Sequence, residues 1–173
     1  MDEQMFWGIV QTAKDESGGD HDVRFRSIVR QLSDLPCSDI AGFQEVLWNC
    51  VNGAYSWDLW GAAYIINGGC SDDSFGDFRL WLVSMGEQGY RSAMSDPETV
   101  GDLQVGESDI FFEAMGGVAD EAYGMSTGRY FDDDVLVPSQ NETGEPAGVK
   151  WTSERELAMR FPRLFARFWG RDR

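Results

Sequence analysis

One histidine in 173 residues, His21 in the turn GGDHD, leaves almost nothing with which to build a Ser-His-Asp or Cys-His relay. Three cysteines, Cys37, Cys50 and Cys70, fall in no CxxC pair, so a structural zinc is not expected, and an odd number cannot all form disulfides. Basic side chains are scarce: 14 Lys and Arg face 30 Asp and Glu, for a net charge of −16. A body this acidic repels phosphate backbones, which excludes nucleic acid as the expected partner. Long apolar runs are also missing. The longest candidate, WDLWGAAYII, has ten residues and contains an aspartate, well short of the roughly 18 a membrane span needs. No short apolar segment follows a basic start as a secretory signal would require, so the expected location is cytoplasmic and no membrane is expected. GxGxxG and GxxxxGK[ST] are both absent, and neither SDDSFGDF nor YFDDDV supplies the alternating acids and terminal glutamate of an EF-hand. The sequence therefore calls for no cofactor and no metal.

What is present is material for a core. Apolar residues make up 42% of the chain and aromatics 13%, with seven Trp and eleven Phe, which rules out disorder for most of its length. Strand-like alternation is rare and helical spacing recurs. Asp2 can cap a first helix with Met5, Phe6, Ile9, Val10 and Ala13 on one face, ended by Gly18 and Gly19. A second begins near Asp20 and stops at Leu35-Pro36. Ser38 and Asp39 suit the start of a third, along which Ile40, Phe43, Leu47, Cys50, Val51 and Ala54 face inward. The segment 57 to 66 is apolar nearly all round and is expected at the centre of the fold. Later helices are expected from Ser71 to Met85, around Glu87 to Ser95, near Asp109 to Tyr123, and from Ser153 onward with Glu156 completing a capping box. The fold class is all-α: a compact single-domain bundle of about six to eight helices.

Three regions divide the chain: a helical domain over 1–130, an acidic surface loop over 131–150 that contains Asp132, Asp133 and Asp134, and a basic amphipathic helix over 151–173. Residues 1–149 carry a net −20 and residues 150–173 a net +4. In the last helix Leu157, Phe161, Leu164 and Phe168 share one side and Arg160, Arg163, Arg167 and Arg171 another, with Pro162 kinking or restarting it. Such a helix suits a membrane surface or a partner, but the net −20 of the rest of the chain makes docking on its own acidic domain the first expectation.

Carboxylates are the chemistry that remains. The stretch INGGCSDDSF, residues 66 to 75, is a helix C-cap (Asn67, Gly68, Gly69) running into a helix N-cap at Ser71. Asp72 and Asp73 open the next helix, Asp77 lies one turn beyond Asp73, and Arg79 is about two turns beyond Asp72. Asp72 and Asp73 have an ordinary role too, as partners of the helix dipole worth roughly 0.3 to 1 kcal/mol each. Glu113 projects from a later helix and Asp58 from the apolar one, where it is either a first-turn residue behind Ser56 or a buried carboxylate with a partner. If these helices adjoin, Trp57, Trp60 and Trp81 would rim an acidic cleft suited to a cationic ligand.

The stretch YSWDLWGAAYIINGGCSDDSFGDFRLWLVSMG (55–86), with Met5-Phe6-Trp7 and AYGMSTG (122–128), resembles the bacterial domain family of unknown function DUF4240, over roughly residues 1 to 130. The resemblance implies a small cytosolic helical domain. It implies no activity and no catalytic residues.

The first functional expectation is an acidic interaction module holding a cationic or polar small molecule, peptide or basic protein at the junction of the fourth and fifth helices, through Trp57, Asp58, Trp60, Asn67, Ser71, Asp77, Arg79 and Trp81. The second is an enzyme in which Asp72 or Asp73 and Glu113 take opposite acid and base roles. The third is surface association through the basic C-terminal helix.

Overall fold

The computed structural model describes residues 1–103, 109–129, 131 and 144–170. Among these residues the protein is all-helical, with ten α-helices and no strand. They are α1 (Glu3–Ser17), α2 (His21–Ser33), α3 (Cys37–Gly53), α4 (Trp57–Asn67), α5 (Asp72–Ser84), α6 (Gly86–Ser95), α7 (Val100–Leu103), α8 (Val118–Thr127), α9 (Glu154–Arg160) and α10 (Pro162–Phe168). Two 3-10 turns, Pro97–Thr99 and Glu113–Gly117, precede α7 and α8. No described helix is long and apolar enough to cross a membrane.

The helix starts follow local chemistry. Asp2, Asp20, Ser56, Ser71 and Ser153 each accept a hydrogen bond from a backbone N–H in the first turn, satisfying donors that have no partner within the helix. Gly18, Gly68 and Gly128 close α1, α4 and α8 in the left-handed conformation. Two expected boundaries differ. α3 opens at Cys37 behind Pro36, with no side-chain cap, and the Pro36 carbonyl already accepts from the Asp39 and Ile40 N–H groups. The helix expected over 109–123 begins only at the 3-10 turn 113–117 and becomes α-helical at Val118, since Gly116-Gly117 weakens the first turns.

α5 is the most enclosed helix. Every residue from Phe78 to Ser84 is buried, and α1, α3, α4, α6 and the 113–117 turn all pack on it. α4, with only Asn67 exposed, lies beside it and against α10. Two arginines are fully buried with the apolar side chains. Arg24 donates to Ser17 Oγ at 3.2 Å and to Ser84 Oγ at 2.9 Å, linking α2 to α1 and to the end of α5. Arg79 is described below.

The acidic run at 132–134, most of the expected loop over 131–150, and Arg171 lie outside the described residues. The C-terminal region forms two helices rather than one. Phe161 leaves helical geometry and α10 restarts with Pro162 at its first position, where the missing N–H costs no helix bond.

Candidate functional site

The joint between α4 and α5 is backed by stacked aromatic rings. Trp57 and Trp60 stack at 5.1 Å between ring centroids, and Trp60 stacks on Phe75 at 4.7 Å. The Trp60 indole N–H donates to the carbonyl of Cys70 at 3.0 Å, tying the joint to α4. Asn67 turns back to the carbonyl of Gly69, and Ser71 caps α5. Burial, together with the charges of Asp77 and Asp72, pushes the Cys70 thiol up to about 12. That thiol is not a nucleophile at neutral pH.

Several candidate residues stand apart from one another. Trp81 is fully buried in the core, tilted against Phe78. Arg79 also turns inward, its guanidinium against the rings of Tyr55 (4.7 Å) and Phe75 (5.0 Å), and donates to the carbonyls of Phe75 and Val51. Asp58 lies in the first turn of α4 behind Ser56 and pairs with Arg160 at 3.0 Å. Asp72 is exposed at the start of α5.

Three of the expected acids do meet. Asp73 and Asp77 on α5 and Glu113 on the 113–117 turn line one groove of about 650 Å³, walled by Trp48 of α3, Leu80, Gly76 and Gly116. The backbone builds this arrangement. Phe112 N–H donates to the carbonyl of Asp77 at 3.2 Å, and Gln44 of α3 donates to the carbonyl of Gly116 at 3.2 Å. Those two bonds bring the segment carrying Glu113 against α5 and α3. Partial burial, followed by the like charges of Glu113 and Asp73, holds the Asp77 carboxyl above the ordinary carboxylate range. A cation entering the groove relieves that repulsion. No group of three or more potential metal ligands is placed to hold an ion among the described residues.

Sequence reasoning missed Trp48. A signal was available: it falls off the inward stripe of α3, and a large aromatic off the core stripe of an amphipathic helix marks a surface with something to cover or bind.

No curated protein and no solved structure matches the chain. A family model described as "Protein of unknown function (DUF4240)" matches residues 1–125, a span that holds α1 to α7 and all of the groove residues. The chain belongs to the DUF4240 family.

Proposed function

We propose that this domain is an acidic binding module for a cationic ligand, a basic peptide segment or small organic cation, held in the groove between α5 and the 113–117 turn. The observation that carries the reading is the convergence of Asp73, Asp77 and Glu113 on a groove with an indole wall, Trp48. Carboxylates attract a cation and an aromatic face adds a contact worth about 0.5–1 kcal/mol at an exposed site. The site sits beside the helix 4/helix 5 junction that the sequence suggests, on the other end of the same acidic stretch. A cytoplasmic setting goes with this reading, supported by three cysteines that all remain free thiols.

Titration with a short arginine- and lysine-containing peptide or with spermidine, followed by NMR, tests it. Binding is expected to shift the Trp48 indole and the amides of Asp77 and Glu113, to weaken with salt, and to drop in Asp77→Asn and Glu113→Gln. Shifts elsewhere on the surface, or affinity independent of salt, would reject it.

One observation favours the enzymatic reading as second choice. Asp77 holds its proton above the usual range beside two other carboxyl groups, which is how one member of an acid and base pair is prepared. In that case Asp77 is the acid and Glu113 or Asp73 the base.

A further inference from the structure

Residues 144–170 lie beyond the family match, which ends at 125, and they close over α4 and residues 96–103 with a charge opposite to the rest of the chain. Contact begins on the backbone: Ala147 N–H donates to the carbonyl of Tyr55 and Trp57 N–H to that of Ala147, both at 2.9 Å. The Lys150 ammonium stands 4.4 Å over the Trp57 ring. Arg160 pairs with Asp58. Glu98 accepts the Arg163 backbone N–H at 2.7 Å and its Nε at 2.6 Å.

The receiving surface is shaped for this segment. A Cβ on Gly61 of α4 would stand 2.9 Å from Phe161, and one on Gly101 of α7 would stand 2.7 Å from Leu164. Glycine inside a helix costs about 1 kcal/mol against alanine, and both helices carry it where the segment presses closest. The segment's own helices have seven residues each, too short to persist alone in water. They are helical because they are docked.

We propose that the face formed by α4 and residues 96–103 is a docking surface for a basic amphipathic segment, filled in cis by residues 144–170, and that such a segment added in trans can take their place. It is independent of the carboxylate groove. A short tether presents its segment at an effective concentration on the order of millimolar, so a free competitor meets a face already occupied. Weakening the resident segment without altering the face uncovers it.

The test uses a fluorescent synthetic peptide of residues 144–170, titrated into full-length wild type and into full-length Arg160→Ala/Arg163→Ala. The peptide is expected to bind the double variant about tenfold more tightly, as the loss of the Arg160–Asp58, Arg163–Asp96 and Arg163–Glu98 ion pairs from the resident segment allows. Adding Glu98→Gln to that variant is expected to abolish the gain. Near-UV circular dichroism should be unchanged throughout. Equal affinity for wild type and double variant, or equally tight binding of a scrambled peptide, would overturn the proposal. So would loss of the near-UV signal in the double variant, because the segment would then be inseparable from the fold.

Discussion

Gly61 of α4 lies directly under Phe161: a Cβ there would stand 2.9 Å from Cε2 of that ring, 3.1 Å from Leu157 and 3.2 Å from the Trp151 indole nitrogen. Two effects of Gly61→Ala oppose each other. Alanine favours the helix by about 1 kcal/mol, while forcing a methyl into a filled interior costs about 1–3 kcal/mol. The contact is made by ring and branched side chains that have neighbours of their own, so the cost wins. Gly61→Ala is expected to lower the urea midpoint. Gly8→Ala in α1, where a Cβ meets nothing within 4 Å, is expected to raise it, adding about 0.5–1 kcal/mol of stability.

Thiol chemistry should divide the three cysteines. Burial pushes the Cys50 thiol up to about 11 and the Cys70 thiol up to about 12, so at pH 8 only about one part in a thousand or less of either is thiolate. Cys37 is exposed at the start of α3. A thiol reagent in native buffer is expected to give one fast phase, removed by Cys37→Ser, with the other two thiols reacting only on unfolding. Mass spectrometry of the labelled chain identifies which one reacted.

Arg24 links three helices, α1, α2 and α5, from a fully buried position. Arg24→Ala removes a long side chain from the interior and is expected to cost about 2–5 kcal/mol, in the range for large-to-alanine core changes. Ser17 and Ser84 keep local backbone acceptors, the carbonyls of Lys14 and Trp81, so Arg24→Met should recover part of the loss. Urea unfolding of the two variants against wild type gives the comparison.

Arg24 also marks where sequence reading stops. Helix ends were legible because a cap is a local event: Asp2, Asp20, Ser56, Ser71 and Ser153 bond to backbone three residues ahead. Pro162 announced its restart for the same reason. The burial of Arg24 depends on Ser84, 60 residues away, and that of Arg79 on Val51, 28 residues away. Nothing near either residue records such a partner. The site divides along the same line. Asp73 and Asp77 share a helix face by spacing alone, whereas the addition of Glu113 and Trp48 rests on how the 113–117 turn and α3 settle on α5, a long-range packing outcome. Of the tryptophans expected to rim a cleft, Trp57 and Trp60 stack on each other and Trp60 on Phe75, while Trp81 is buried against Phe78, since large aromatics bury more surface that way.

Asp77 gives a stability signature that depends on pH. Burial and the facing charges of Glu113 and Asp73 raise its carboxyl above the unfolded value, so the native chain holds this proton more tightly than the unfolded one. The group therefore favours folding at low pH and opposes it as pH climbs from the ordinary carboxylate range through the raised value. Asp77→Asn removes a charge that neutral pH imposes, keeps a similar shape, and leaves the carbonyl that accepts from Phe112 in place. Because the side chain is only partly buried, screening limits the gain at pH 7 to under about 1 kcal/mol, or about 1–4 °C in Tm for a chain of this size. Below about pH 3.5 the wild-type carboxyl is itself mostly protonated, and the difference should close. Thermal melts of both proteins at pH 7 and pH 3 measure it. A variant less stable than wild type at pH 7, or a gain that persists unchanged into acid, would mean that Asp73 and Glu113 do not press on Asp77, and the groove would lose the electrostatic argument for a cation.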